Sequence, residues 1–225
     1  MPWRDWIRTV EVEPSLYGAD FSILGEQIDT LCRAGARIFH FDVGDGHFVE
    51  PITMGPIVLQ SISPLIHGSE GAIDVHLMVE QPAKYFDVVA AAGGDSVTFH
   101  YEAVDDVAAT VRAARERELE AGVAFNPESE PEDVAAVAET ADLVLCMGIH
   151  PGYSGQPFRE ETFDRVRRLR AALPDSVHIQ VDGGVGPDNI RRLHDEGASL
   201  LVAASAIFAR EDLPRAYRRL VQELA

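Results

Sequence analysis

Apolar residues fall into two alternating patterns along this chain. Short runs rich in Val, Ile, Leu and Phe, with a period of two, predict strands at 10–14, 37–43, 72–78, 96–100, 120–125, 143–147, 177–182 and 200–205. Between them, apolar positions spaced three and four apart predict helices at 24–34, 82–92, 104–117, 131–139, 160–172 and 187–196, with a last one at 213–224. Several open on a proline or an acidic first turn. Alternating strand and helix implies parallel strands with helices outside, and eight such units are the number that closes a (β/α)8 TIM barrel. One barrel domain accounts for residues 1–225. A doubly wound open sheet is the second architecture, but no GxGxxG follows the first strand. The stretch 44–71, after the second strand, reads as the longest irregular connection, on the face where barrel loops cover a site.

Composition narrows the function classes. A chain of 225 residues, 46% hydrophobic and 25% charged, is that of a soluble globular protein. With 37 acidic against 19 basic residues and a net charge of -18, it lacks the basic footprint that nucleic acid or an anionic membrane surface requires. An anionic ligand would need local backbone dipoles or a metal. Lys84 is the sole lysine, and no predicted strand contains one, which disfavours Schiff-base chemistry and the phosphate-binding decarboxylase or aldolase barrels that use a strand-end lysine. Cys32 and Cys146 lack CxxC spacing and read as reduced core thiols, so a cytoplasmic location is expected. No signal-peptide core or membrane-length apolar run is present. Trp3 and Trp6 belong either under the barrel or at a subunit interface.

Candidate chemistry lies at the carboxyl ends of the predicted strands, where barrel sites sit. Ile38-Phe39-His40-Phe41-Asp42 sets His40 and Asp42 on one face, and Asp74-Val75-His76-Leu77-Met78 does the same for Asp74, His76 and Met78. Asp182 ends its strand just before Gly183-Gly184. Two imidazoles and two carboxylates at one rim suit one divalent ion, such as Zn, Fe, Mn or Co, with positions left for a ligand. A single inward histidine is more often a hydrogen-bonded core residue, but two unpaired buried carboxylates are costly without a cation. His100, Asp74 and His178 read as structural or ligand-orienting partners. Gly183-Gly184, Ala204-Ser205 and the loop Pro151-Gly152-Tyr153-Ser154-Gly155-Gln156-Pro157 either cradle an anion or serve only as turns.

From about residue 13 to 208 the chain resembles the ribulose-phosphate 3-epimerase family. The segments that carry this are Pro14-Ser15-Leu16, Ala19-Asp20-Phe21, His40-Phe41-Asp42, Asp45-Gly46-His47-Phe48-Val49, Asp74-Val75-His76-Leu77-Met78, His100-Tyr101-Glu102, Asn126-Pro127, Gly155-Gln156-Pro157-Phe158, Val181-Asp182-Gly183-Gly184-Val185 and Ser205-Ala206-Ile207-Phe208. The resemblance implies a barrel of the ribulose-phosphate-binding type and an isomerase. Its substrate would be a ketose phosphate whose C3 hydrogen leaves one face and returns on the other through an enediolate. It puts a divalent ion on His40, Asp42, His76 and Asp182 and makes Asp42 and Asp182 the acid/base pair. It places Ser15, His76, Met78 and Met147 near the sugar. It assigns the phosphate to Gly152, Tyr153, Ser154, Gly155, Gly183, Gly184, Ala204 and Ser205. The expected reaction is D-ribulose 5-phosphate to D-xylulose 5-phosphate, as in the pentose phosphate pathway, in a homo-oligomer. Alternatives are another ketose phosphate, such as allulose 6-phosphate, or a non-catalytic phosphosugar-binding barrel.

The chain departs from the family at Gly44 (methionine there), Gly18 (serine or other), His150 (asparagine), Ser154 and Ala204 (both glycine). All are expected near the rim, and Gly44 in place of methionine implies added volume above the sugar.

Overall fold

The computed structural model describes residues 3–7, 9–153 and 155–225, save the side chains of Trp3 and Arg4. Eight strands, β1 (Glu11–Pro14), β2 (Ile38–Gly44), β3 (Ala72–Met78), β4 (Ser96–His100), β5 (Glu120–Phe125), β6 (Leu143–Met147), β7 (His178–Asp182) and β8 (Leu200–Ala203), pair in parallel in the order β1-β8-β7-β6-β5-β4-β3-β2. A single parallel bridge, Ser15 to His40, brings the two ends together and closes the barrel. Every strand run predicted from the period is present, four with the expected ends and four with an end moved by one or two residues.

The helices are α1 (Trp3–Trp6), α2 (Leu24–Ala34), α3 (Pro56–Gly68), α4 (Phe86–Ala92), α5 (Val107–Arg115), α6 (Pro131–Ala138), α7 (Glu161–Ala172), α8 (Ile190–Asp195), α9 (Ser205–Phe208) and α10 (Leu213–Glu223). Local chemistry sets their ends. The Asp106 and Asp212 carboxylates accept from the backbone N–H of Ala109 and Arg215, capping α5 and α10. α2 stops at Gly35, whose φ of 108° is the left-handed cap that a glycine takes without strain. The stretch 44–71 is not irregular throughout, because α3 occupies nearly half of it, with Pro56 at its first turn and Leu59, Ile62 and Ile66 buried. The loop is 45–55, with a short turn at 69–71 after the helix.

Alternate strand residues supply two cores. Phe39, Phe41, Val75, Phe99, Val123, Val144 and Leu201 face outward and pack with helix residues such as Ile28, Leu31 and Leu59. Each such side chain contributes roughly 1.5–3 kcal/mol on burial. The inward set is apolar near the amino ends of the strands, where Ile38, Ala72, Leu143 and Leu200 cluster with buried Trp6. Trp6 therefore packs under the barrel and plugs its floor. Above that floor the interior turns polar, with His40, Asp42, Asp74, His76, Ser96, Thr98, His100 and Gln180 all buried. A polar barrel interior is stable only if its groups are paired, and that pairing shapes the site.

Candidate active site

His40 and Asp42 on β2, His76 on β3 and Asp182 at the end of β7 each offer a ligand atom, and the four atoms lie within 4.8 Å of one another. Asp42 Oδ1 is 3.3 Å from His40 Nε2 and 3.1 Å from His76 Nδ1, and His76 Nδ1 is 4.0 Å from Asp182 Oδ2. Asp42 Oδ2 accepts from the Ser15 hydroxyl at 2.8 Å. Ser15 can reach it because the closing bridge sets Ser15 beside His40.

The two imidazoles are held from behind. His40 Nδ1 donates to Asp74 Oδ2 at 3.0 Å, and Asp74 is fixed in turn by Gln180 at 2.8 Å, Ser96 at 2.8 Å and Thr98 at 3.0 Å. That leaves His40 Nε2 buried without a hydrogen-bond partner, aimed at the cluster. His76 turns the other way: its Nδ1 faces the cluster and its Nε2 is 2.9 Å from His100 Nε2. Asp74 and His100 thus contact the two imidazoles from behind. His178 opens β7 at the far end of the barrel and meets Ser199 at 3.2 Å.

The carboxylates differ in protonation. Burial pushes Asp182 up to about 7, and the nearby Asp42 charge adds to the shift. Burial also raises Asp42, but the charges and hydrogen bonds of His40 and His76 outweigh it and hold Asp42 far below the usual carboxylate range. His40 is raised well above an ordinary histidine: burial lowers it, and Asp42, Asp74 and Glu13 together win. Burial pushes His100 down to about 4, so its ring is neutral. Glu13 lies below, pushed up to about 7 by burial and accepting from Gln180 at 2.7 Å.

Above the cluster opens a cleft of about 600 Å³. Among the sequence-predicted residues, Ser15, Asp42, Met78, Met147, Gly152, Tyr153, Gly155, Asp182, Gly183, Gly184, Ala204 and Ser205 line it. His40 and His76 lie beneath the lining, fully buried. Ser154 falls outside the described residues. Pro151 and Gln156 line it too, as part of the loop already singled out, and Tyr17, Ile149, Val185 and Val202 also line the cleft and were not foreseen. Only Val202 carried a signal, the period-two alternation that points it inward. Gly183 and Gly184 have φ of 105° and 71°, and a Cβ on either would stand 2.4 Å from Ile149 or 2.9 Å from Phe158, so the turn admits only glycine.

One expectation about the rim is corrected. Gly44 opens no volume, because a Cβ there would meet the Pro51 carbonyl oxygen at 2.7 Å and Val49 at 3.0 Å; the loop 45–55 has already filled the space. That loop is pinned by the Asp45 carboxylate, which accepts from His47, Phe48 and Glu80 N–H groups at 2.8 Å each. His150 turns outward, with Arg159 at 3.0 Å and Glu128 at 3.3 Å. Gly18 packs against Ala204, whose Cβ would be 3.2 Å from a Cβ at position 18.

A sequence profile of the ribulose-phosphate 3 epimerase family matches residues 11–208. The chain belongs to this family. It is 38% identical to the ribulose-phosphate 3-epimerase of Escherichia coli K12 over 95% of this chain and 96% of that one. It is 35% identical to the enzyme of that name from Bacillus subtilis, over 92% and 96%. Among solved structures, 3-hexulose-6-phosphate synthase from Salmonella typhimurium superposes with a TM-score of 0.73 at 16% identity, covering 95% of this chain and 98% of that one. At that identity the likeness shows the barrel alone. Family membership makes the protein an isomerase of the epimerase type.

Proposed function

We propose that this epimerase interconverts D-ribulose 5-phosphate and D-xylulose 5-phosphate by removing a proton from one face of C3 and supplying one on the other. The observation that carries the proposal is the pair Asp42 and Asp182, brought to one rim from β2 and β7 and both lining the cleft above the cluster. Inverting a carbon by proton transfer needs a base on each face, one empty and one loaded. Asp42 takes the C3 proton, the sugar passes through an enediolate, and Asp182 delivers its proton opposite. The reverse reaction exchanges the roles. Ser15 orients Asp42 from the cleft side through its 2.8 Å hydrogen bond.

The donor set fits one divalent ion, Zn, Fe, Mn or Co: two imidazole nitrogens, one of them buried and unpartnered, and two carboxylates. Bound there, it would polarise the C2 carbonyl and offset the developing oxyanion by several kcal/mol. Met78 and Met147, both buried beside the carboxylates, keep water from the reacting carbon. The left-handed Gly183-Gly184 turn and the backbone at Ser205 present N–H groups to the phosphate, which in this acidic chain must substitute for lysines.

Incubation with ribulose 5-phosphate in heavy water should place deuterium at C3 of both epimers. Asp42→Asn and Asp182→Asn should each slow this by about 10² to 10⁴-fold with the fold intact. Normal turnover by either variant overturns the two-base assignment, and exchange only with a six-carbon ketose phosphate overturns the substrate.

A further inference from the structure

The two histidines of the cluster face it with different nitrogens. His40 presents Nε2 and is backed at Nδ1 by a carboxylate, Asp74. His76 presents Nδ1 and is backed at Nε2 by a second imidazole, His100, at 2.9 Å. An imidazole is a poor buttress by itself, because either of its nitrogens can carry the proton. Something must choose. The side chain behind His100 is Glu102, whose Oε2 lies 3.4 Å from His100 Nδ1. Its other oxygen, Oε1, is anchored by the Asn126 N–H at 2.8 Å and the Ser129 hydroxyl at 2.5 Å. Phe48, with its ring 4.7 Å from that of His100, covers the pair.

Resting on the cation-assisted reading of the cluster, we infer that Glu102, acting through His100, is a positioning residue that fixes which nitrogen of His76 is free to bind the ion. A cation at His76 Nδ1 needs that lone pair, so the proton sits on His76 Nε2. That N–H donates to His100 Nε2, which must then be an acceptor, and His100 carries its own proton on Nδ1. An acceptor opposite His100 Nδ1 stabilises this order, and the Glu102 carboxylate is the charged one there: its Oε2 stands 3.4 Å off, not yet hydrogen-bonded in this structure, with the Asn126 side chain also beside His100. In the free protein Asp42 pulls the other way, since Asp42 Oδ1 also accepts from a His76 Nδ1–H at 3.1 Å. Asp42 and Glu102 therefore compete for the proton order of the two-imidazole chain, and binding of the ion settles it toward Glu102.

Glu102→Gln is the discriminating variant because it keeps the shape. The carboxamide oxygen stays with Asn126 and Ser129, so its NH₂ turns to His100 Nδ1 and donates. The order reverses, and the proton lands on His76 Nδ1, where the ion should bind. Cobalt(II) affinity, measured by competition with a chelator, should fall by about 10- to 100-fold in Glu102→Gln. Thermal unfolding of the chelated proteins should coincide. In the wild-type protein loaded with zinc, nitrogen-15 NMR of the imidazoles should show His76 protonated on Nε2 and His100 on Nδ1. Cobalt affinity unchanged in Glu102→Gln overturns the inference, and so does His100 protonated on Nε2 in the zinc protein, even if the variant fails to fold. A wild-type protein that takes up neither ion overturns the cation-assisted reading itself, together with the inference built on it.

Discussion

Asp182 is the residue whose environment is least comfortable. Only 17% of its side chain is exposed, and it faces an ionised Asp42 across the cluster. Without a cation its carboxyl is raised from 3.8 to about 7. The folded chain then binds more protons than the unfolded chain between those values. Its contribution to stability is present below about 4 and lost as pH rises through about 7. Asp182→Asn removes the charge and keeps the shape. In chelated protein at pH 8 it should raise the unfolding midpoint by several degrees, and its advantage should shrink toward pH 4. Equal midpoints at both pH values would count against the strained-carboxylate account. The sequence made Asp182 legible, since a strand-terminal Asp before a glycine pair stands out. It did not make the divided protonation legible, because that depends on distances across the barrel between β2, β3 and β7. The facing nitrogen of His76 was hidden for the same reason: His100 sits one strand over.

Elements were legible where one pattern governed them and obscured where two overlapped. The strands are buried along most or all of their length, half-buried only at the start of β5 and the two ends of β7, so the sequence reading found them all. α3 was missed because Pro64 lies inside it and because Ile57 and Leu65 are exposed at 78% and 47%, which blurs the apolar stripe. The departures from the family pattern are also best read between elements. Gly18, in the turn after β1, and Ala204, at the start of α9, touch each other, so a side chain lost at 18 is matched by one gained at 204. Gly18→Ser should lower the unfolding midpoint by crowding Ala204 and Phe208. Ala204→Gly in the same chain should restore part of the loss. A double-mutant cycle should show a coupling of about 0.5–3 kcal/mol, and strict additivity would argue that the two substitutions are unrelated.

At the scale of the whole molecule the open question is how an anion reaches a site in a chain of net charge -18. Among the described residues, those lining the cleft include two carboxylates, Asp42 and Asp182, and no lysine or arginine. A divalent ion at the proposed site would offset those carboxylates, but the field of the remaining surface would still repel a sugar phosphate on its approach. Screening weakens that field: the Debye length falls from about 30 Å at 0.01 M salt to about 8 Å at 0.15 M. Raising sodium chloride over that range should therefore raise kcat/KM several-fold and leave kcat nearly unchanged, because the chemistry at C3 proceeds inside a cleft that salt screens little. Chloride is the right probe, since sulfate or inorganic phosphate would compete at the phosphate site proposed on the Gly183-Gly184 turn. A kcat/KM that falls with salt would mean that a basic patch draws the substrate in. Arg210, Arg215 and Arg219, gathered near Pro187 and Ala206 just outside the cleft, are where that attraction would originate. Charge reversal at those three positions then separates the cases: it slows capture if they recruit the substrate, and leaves the salt response in place if the global field governs.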